Sequence, residues 1–145
     1  MQKQRIQYTS PLDALIAVAK RLSLNENRDR IDSMDTQLKY PNIIKHILKN
    51  HAEYRANLPD SYTSQVIFDD ERGQYLVLDI GWNGDKYLHT TPIHLSLIND
   101  KVWVQYDDTE EGIVTDLIEA GIPKEKIVLG FRHPKIRKHT GFAVA

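Results

Sequence analysis

The chain of 145 residues has no cysteine and no excess of basic charge, and each absence excludes a class of protein. Without cysteine, a disulfide framework, a thiol nucleophile and a zinc–thiolate site are all excluded. Nineteen Lys and Arg residues stand against twenty Asp and Glu residues, for a formal net charge of -1. Contact with a nucleic-acid backbone would therefore need a local basic patch.

Long apolar runs are also missing. The longest near the start, Ala14 to Ala19, is too short to span a bilayer, and Lys20 and Arg21 follow it in place of a small-residue cleavage site. We therefore expect a cytoplasmic protein with no membrane contact.

The first 33 residues differ in character from the rest. Residues 11–22 have the capping and the three-and-four apolar spacing of an amphipathic helix. The polar stretch NENRDRIDSMD, residues 25–35, is typical of a linker. We predict an N-terminal helical appendage and linker over residues 1–33 and one domain over residues 34–145.

The second part of the chain predicts an α+β fold. A helix is expected from Tyr40 to about Asn57, with Pro41 in its first turn and one stripe on its buried face. That stripe comprises Tyr40, Ile43, Ile44, Ile47, Leu48, His51 and Tyr54. Four strand-like runs follow at about 63–69, 74–82, 87–98 and 102–107, separated by short turns, and they predict a four-stranded antiparallel meander.

The end of the chain completes the predicted fold. Ile113, Leu117 and Ala120 have helical spacing, and Gly121 and Pro123 end that helix. The short apolar run 126–131 then predicts a fifth strand, parallel to a neighbour because a crossover helix precedes it. We expect a mixed sheet with the helices packed on it.

The run DDTEEG allows two interpretations. Asp107, Asp108, Glu110 and Glu111 could bind a divalent metal for phosphoryl transfer, which needs carboxylates that converge on one centre. Alternatively, Asp107 ends a strand, Asp108 or Thr109 caps the next helix, and Glu111 is the reciprocal capping partner. The capping interpretation accounts for every carboxylate, and it predicts that Glu110 and Glu111 are exposed.

No other pattern indicates catalysis. The pairs His46 and His51, and His89 and His94, are each five residues apart, which places them on different faces of a regular helix or strand. A glycine-flanked nucleophile and a Gly-rich phosphate loop are both missing. We therefore predict no catalytic residues, no metal site and no cofactor.

Two features could serve recognition. Trp82 and Trp103 are large aromatics on neighbouring strands of the meander, and aromatic side chains are frequent in interfaces as well as in cores. A basic cluster near the C-terminus could contact phosphates or an acidic partner, or could simply be a solvated turn. Its members are Arg132, His133, Lys135, Arg137, Lys138 and His139.

A family resemblance adds a function to this fold. The stretch VWVQYDDTEEGIVTDLIEAGIPKEKIVLGF and the following RHPKIRKHTGFAVA resemble the XisI-like family, named for the cyanobacterial controlling factor of fdxN element excision. The FDDERGQYLVLDIGW hairpin and an initial helix from Met34 extend the resemblance over nearly all of residues 34–145. One departure is Asp108, where the family pattern has glycine, and residues before Met34 lie outside the pattern.

The resemblance implies accessory work in DNA excision and no enzymatic activity. Its implied partners are a nuclease-like XisH-type protein and, indirectly, DNA and a site-specific recombinase, and a homo-oligomer is possible. Two alternatives stay open: a metal-dependent phosphoryl-transfer enzyme that uses the acidic run, and a module that binds DNA directly through the basic C-terminal turn.

Overall fold

The computed structural model describes residues 28–58 and 62–145, with side chains in its first helix from residue 39 onward. The helix predicted over residues 11–22 lies outside the described residues. Internal contacts divide the chain into two units, Met1–Lys39 and Tyr40–Ala145, and the second unit contains every surface discussed below. The predicted division at residue 34 stays a prediction.

Helix α1 comprises Arg28–Ala56 and starts earlier than predicted. Residues 28–35, which we expected in a linker, are helical because nothing between Arg28 and Tyr40 is Gly or Pro. Pro41 is consequently inside the helix and not in its first turn. It has no N–H for the carbonyl of Gln37, four residues before it, so the helical hydrogen-bond series lacks one bond there.

The antiparallel meander is confirmed, with boundaries within a residue of the prediction. Its strands are β1 (Thr63–Asp69), β2 (Gln74–Asn83), β3 (Lys86–Ile98) and β4 (Lys101–Asp107). Gly73 and Gly84 turn the first two hairpins at φ values of 64° and 60°, and Asn99 and Asp100 turn the third, also with positive φ. Residues that tolerate the left-handed region therefore fix the hairpins.

After β4 the chain crosses over through α2 (Ile113–Glu119) and a 3-10 turn (Lys124–Lys126) to β5 (Ile127–Leu129). Strand β5 is parallel to β4, and the sheet order is β1-β2-β3-β4-β5. The predicted mixed sheet is confirmed. A short final helix, α3, covers Pro134–Arg137.

The core lies between one face of the sheet and helices α1 and α2. This cluster is formed by Tyr40, Ile43, Ile44, Ile47, Leu48 and Ala52 from α1, by Tyr75, Val77, Ile93, Leu95, Val102 and Val104 from the sheet, and by Ile113, Leu117, Ile122 and Ile127. The predicted stripe of α1 holds as far as Leu48. Tyr54, however, is 69% exposed. The side chain of the next residue, Arg55, is partly buried instead.

The opposite face of the sheet carries the remaining side chains, and we call it the open face. It includes the partly buried Leu76, Leu78 and Ile80 of β2. A register shift in the β2–β3 pairing puts His89 opposite Ile80 and His94 opposite Leu76, which brings both histidines to this one face. No helix within residues 28–58 and 62–145 is long and apolar enough to cross a membrane.

Candidate partner-binding surfaces

The acidic loop between β4 and α2 is organised by Asp107. Its Oδ1 accepts hydrogen bonds from the backbone N–H of Thr109 at 3.0 Å and from the Thr109 hydroxyl at 2.6 Å. Its Oδ2 accepts from the N–H of Ile113, the first residue of α2, at 2.7 Å. One carboxylate at a strand end therefore satisfies backbone donors of the loop and of the following helix.

The prediction that Asp108 or Thr109 caps α2 was wrong. Helix α2 begins after Gly112, whose φ of 79° and ψ of 128° lie outside the range of an L-residue, and this N-cap makes no side-chain hydrogen bond. Asp108 and Thr109 are too early in the loop to cap it. Asp107 replaces them because the strand end aims its carboxylate back across the loop.

The other carboxylates of the run do not join Asp107. Asp108, Glu110 and Glu111 are exposed, as the capping interpretation predicted for the two glutamates. Among the described residues, no three His, Asp or Glu side chains are grouped so that they could hold a metal ion.

The acidic loop and the C-terminal half of α1 enclose a groove of about 820 Å³. Its lining is Ile47, Asn50, His51, Tyr54, Arg55, Leu58, Asp108, Thr109, Glu110, Glu111, Gly112, Asp116 and Glu119. Five carboxylates against one guanidinium and one imidazole make the groove acidic. It would repel phosphates and suits a cationic side chain.

Two side-chain contacts between elements fix the walls of this groove. His51 Nε2 on α1 lies 2.7 Å from Asp116 Oδ2 on α2 and ties the two helices together. Arg55 donates from Nε to Asp79 Oδ2 at 2.9 Å and also donates from Nη2 to the same oxygen. Asp79 is fully buried in β2, and its Oδ1 has no hydrogen-bond partner among the residues that the structure describes.

The buried pair sets the electrostatics of Arg55. Its hydrogen bond to Asp79 raises the pKa of the Arg55 guanidinium, against an opposing effect of burial, and Asp108 adds a smaller contribution in the same direction. Arg55 is therefore permanently charged at the groove wall. Its charge is already bonded to Asp79, which leaves the groove acidic overall.

Sequence reasoning missed both pairs, although one left a signal. In the alternation Tyr75, Val77, Asp79, the aspartate occupies an inward position of a buried strand. A buried carboxylate needs a cationic or hydrogen-bonding partner, so an arginine facing it could have been inferred. Nothing in the sequence indicated which arginine supplies it.

The basic cluster forms the turn around α3, and its residues have different roles. Arg137 donates to the carbonyls of Arg132 at 3.0 Å and of Gly130 at 3.3 Å, and its guanidinium lies 5.0 Å from the ring centre of Trp103. Arg137 is thus largely occupied in holding the turn. His133 caps α3 by accepting from the N–H of Lys135 at 3.2 Å.

The remaining side chains of the cluster face outward. Arg132, Lys135, Lys138 and His139 are exposed, and the Arg132 guanidinium lies 5.2 Å from the ring centre of Phe131. These side chains can meet an anionic partner without disturbing the core.

The two predicted tryptophans have different surroundings. Trp82 is 56% exposed near the end of β2, and its ring packs edge-on against Tyr87, itself 52% exposed, at 5.2 Å. Trp103 is partly buried in β4, where it contacts Arg137 of the C-terminal turn. More than half of Trp82 is therefore exposed, whereas Trp103 mainly supports the turn.

Comparison with known proteins identifies the family. The family model described as XisI protein matches residues 34–144. The chain belongs to the XisI family. Every surface residue discussed above lies within the matched residues of this family.

Solved structures agree with the XisI assignment. The chain is 38% identical to the fdxN element excision controlling factor XisI from Anabaena variabilis, with a TM-score of 0.66 over 77% of this chain and 100% of that one. A XisI-like protein from Anabaena variabilis is 32% identical, with a TM-score of 0.70 over 75% of this chain and 99% of that one. No protein among those with curated functions matches significantly.

Proposed function

We propose that this protein is a non-enzymatic controlling factor for programmed DNA excision or rearrangement, which acts by binding a nuclease-like protein of the XisH type. The observation that carries the proposal is membership of the XisI family, together with a structural relative described as an excision controlling factor. A controlling factor works through contacts, so its exposed surfaces are where its function lies.

The acidic run supports the non-enzymatic part of the proposal. Asp107, the member nearest to the core, has both carboxylate oxygens bonded to Thr109 and Ile113. The neighbouring carboxylates are exposed and do not form a group of three around one point. A structural role accounts for this arrangement without a catalytic step.

The outward-facing cations of the C-terminal turn support the partner-binding part. Arg132, Lys135 and Lys138 project from a turn that Arg137 and Trp103 hold in place. A cationic surface on a rigid support favours fast, oriented docking of an acidic partner surface. Trp82 supplies a second, aromatic contact of the kind that contributes strongly to interfaces.

Copurification with the product of a neighbouring XisH-like gene tests the proposal. We expect a stable complex at protein concentrations of about 1–10 µM, the range of ordinary regulatory associations. Lys135→Glu combined with Lys138→Glu should weaken it at least tenfold by lowering the association rate. The complex of the wild type should also lose affinity in high salt.

A matched control separates a local effect from one of net charge. Lys49→Glu combined with Lys124→Glu makes the same change in net charge at exposed sites on α1 and on the 3-10 turn before β5, and this variant should bind like the wild type. Absence of any complex at these concentrations would refute the partnered role.

Direct DNA binding is a second candidate, favoured by the same exposed cations. It predicts retardation of duplex DNA that falls steeply with salt and is lost in the Lys135→Glu, Lys138→Glu variant. The acidic groove carries the opposite sign and the net charge of the chain is -1, so binding through the turn alone should be weak. Retardation that is unaffected by salt and by these substitutions would eliminate this candidate.

A further inference from the structure

The two edges of the sheet differ in whether another segment of the chain pairs with them. At the β5 edge, Ala143 forms a bridge with Val128 and donates its N–H to the carbonyl of Ile127 at 2.9 Å. That edge is therefore closed by the C-terminal residues. Strand β1 is the opposite edge, and within the described residues no strand pairs with its outer side.

The sequence of strand β1 itself lacks the features that usually protect an exposed edge. Lys45 and Lys49 of α1 each place Nζ 5.9 Å from the ring centre of its Phe68, on the side that packs against the core. Natural proteins discourage edge pairing with lysine, proline, bulges or very short strands. The sequence TSQVIFD contains neither Lys nor Pro, extends for seven residues, and pairs with β2 in an unbroken register from Thr63 to Asp69. Its one charged residue is Asp69, at the end of the strand.

A second copy of the same strand is a suitable partner for this edge. Consider two β1 strands that run antiparallel about a two-fold axis at Val66, the midpoint of the strand, which pairs the full seven residues. Ile67 then faces Gln65 of the other copy, and Asp69 faces Thr63. Within the two strands no like charges meet, because Asp69, the one charged residue of each, faces Thr63 of the other copy.

The side chains near this edge fit the same arrangement. Ile67 is 46% exposed on the open face. It lies beside Leu76 and Leu78 of β2, and together these side chains form an uncharged surface. Depletion of charge and exposed aliphatic surface are characteristic of the centre of an interface. Burial of Ile67 across the axis would remove apolar area from water in both copies.

We propose that the protein forms a two-fold symmetric dimer by antiparallel pairing of its β1 strands, which joins the two five-stranded sheets into one sheet of ten strands. The pairing is isologous, so it closes at two copies and leaves no free β1 edge. The C-terminal turn of each copy, at the other end of its sheet, remains free for a different partner. A dimer would therefore present two such turns at opposite ends.

Sedimentation equilibrium of the full chain tests the dimer. A seven-residue pairing makes a small interface, so we expect reversible association with a dissociation constant on the order of 10 µM. Ile67→Lys should raise that constant at least tenfold, because a lysine on each copy lies near its counterpart across the axis. Ile136→Lys is the matched control, since Ile136 on α3 is 47% exposed and Ile67 is 46% exposed, and it should leave association unchanged.

A charge-swap experiment identifies the strand that pairs. Gln65→Lys with Ile67→Lys, and Gln65→Glu with Ile67→Glu, should each give a folded monomer by circular dichroism and sedimentation, because like charges then face each other. An equimolar mixture should form a heterodimer, whichever residue of β1 lies on the axis. A wild-type chain that stays monomeric at about 100 µM, well above the expected constant, or a mixture that does not associate, would overturn the proposal. So would a dimer that persists in both charged variants.

Discussion

At the scale of single residues, Asp107 shows that the position of a carboxylate matters more than the number of carboxylates around it. Four acids occur in a short run, but Asp107 alone is placed at the strand end from which it can reach the N–H groups of Thr109 and Ile113. Asp108 contributes its backbone N–H to the carbonyl of Pro92 at 2.8 Å, and its side chain is exposed. The structural role of the run is therefore concentrated in one side chain.

Substitution of Asp107 should distinguish it from its neighbour. Asp107→Ala removes the acceptor for three donors and should lower the free energy of unfolding by about 1–2 kcal/mol. Asp108→Ala should change it by less than about 0.5 kcal/mol, as is usual at an exposed position. Urea denaturation of both variants measures the difference. A larger loss for Asp108→Ala would show that Asp108 is the cap.

The buried pair of Arg55 and Asp79 gives a second prediction at this scale. Arg55→Met leaves the Asp79 carboxylate buried without its cation and should cost about 3–5 kcal/mol of stability. Combining Arg55→Met with Asp79→Leu removes both charges and should recover most of that loss. The four proteins of this double-mutant cycle can be compared by denaturant unfolding. A double variant as unstable as Arg55→Met alone would mean that the pair is not the cause.

At the scale of elements, the loop between β4 and α2 positions two helices through side-chain contacts. It starts α2 through Asp107, and α2 in turn contacts α1 through Asp116 and His51. This chain of contacts explains how the groove keeps its walls although it has an excess of negative charge.

A metal titration tests the loop as a whole. Addition of Mg²⁺ or Mn²⁺ at about 5 mM should leave the melting temperature unchanged within error, because only a bound ion stabilises by mass action. Glu110→Ala combined with Glu111→Ala should alter stability by less than about 0.5 kcal/mol. A metal-dependent rise in melting temperature that this double variant abolishes would instead favour the phosphoryl-transfer alternative.

At the scale of the whole molecule, the open face of the sheet contributes to how stability depends on pH. His94 lies there with its Nε2 2.7 Å from Gln74 Oε1, and Ser96 donates to the same oxygen at 2.7 Å. Burial lowers the pKa of His94 below its ordinary value of 6.5. Protonation therefore favours the unfolded chain, in which the histidine is solvated.

The expected result is a loss of stability on acidification. The contribution of neutral His94 to the free energy of unfolding is fully present above pH 6.5, the ordinary pKa of histidine. It is lost as the pH falls through the lowered pKa of His94 in the folded state. His94→Gln should therefore show a flatter stability profile between about pH 7 and 5. His89→Gln, which removes an imidazole at an exposed site on the same strand, is the matched control with which the profile of His94→Gln is compared. Parallel profiles for wild type and His94→Gln would contradict the assignment.

The sequence alone determined the strands, the hairpins and their order, because these depend on neighbouring residues. Gly73, Gly84 and the Asn99–Asp100 pair specify tight turns locally, and alternating side chains between them specify strands. Antiparallel neighbours then follow from the short turns. The early start of α1 is the local feature that the prediction lacked, because a polar composition does not prevent a helix where no Gly or Pro interrupts it.

Tertiary structure decided what the side chains do, since their partners are far apart in the chain. Arg55 and Asp79 are 24 positions apart, and His51 and Asp116 are 65 apart. Which of four carboxylates starts α2, and which of two tryptophans stays exposed, likewise depended on where the strand end and the C-terminal turn lie. A local pattern can show that a charge needs a partner, but only packing brings the two together.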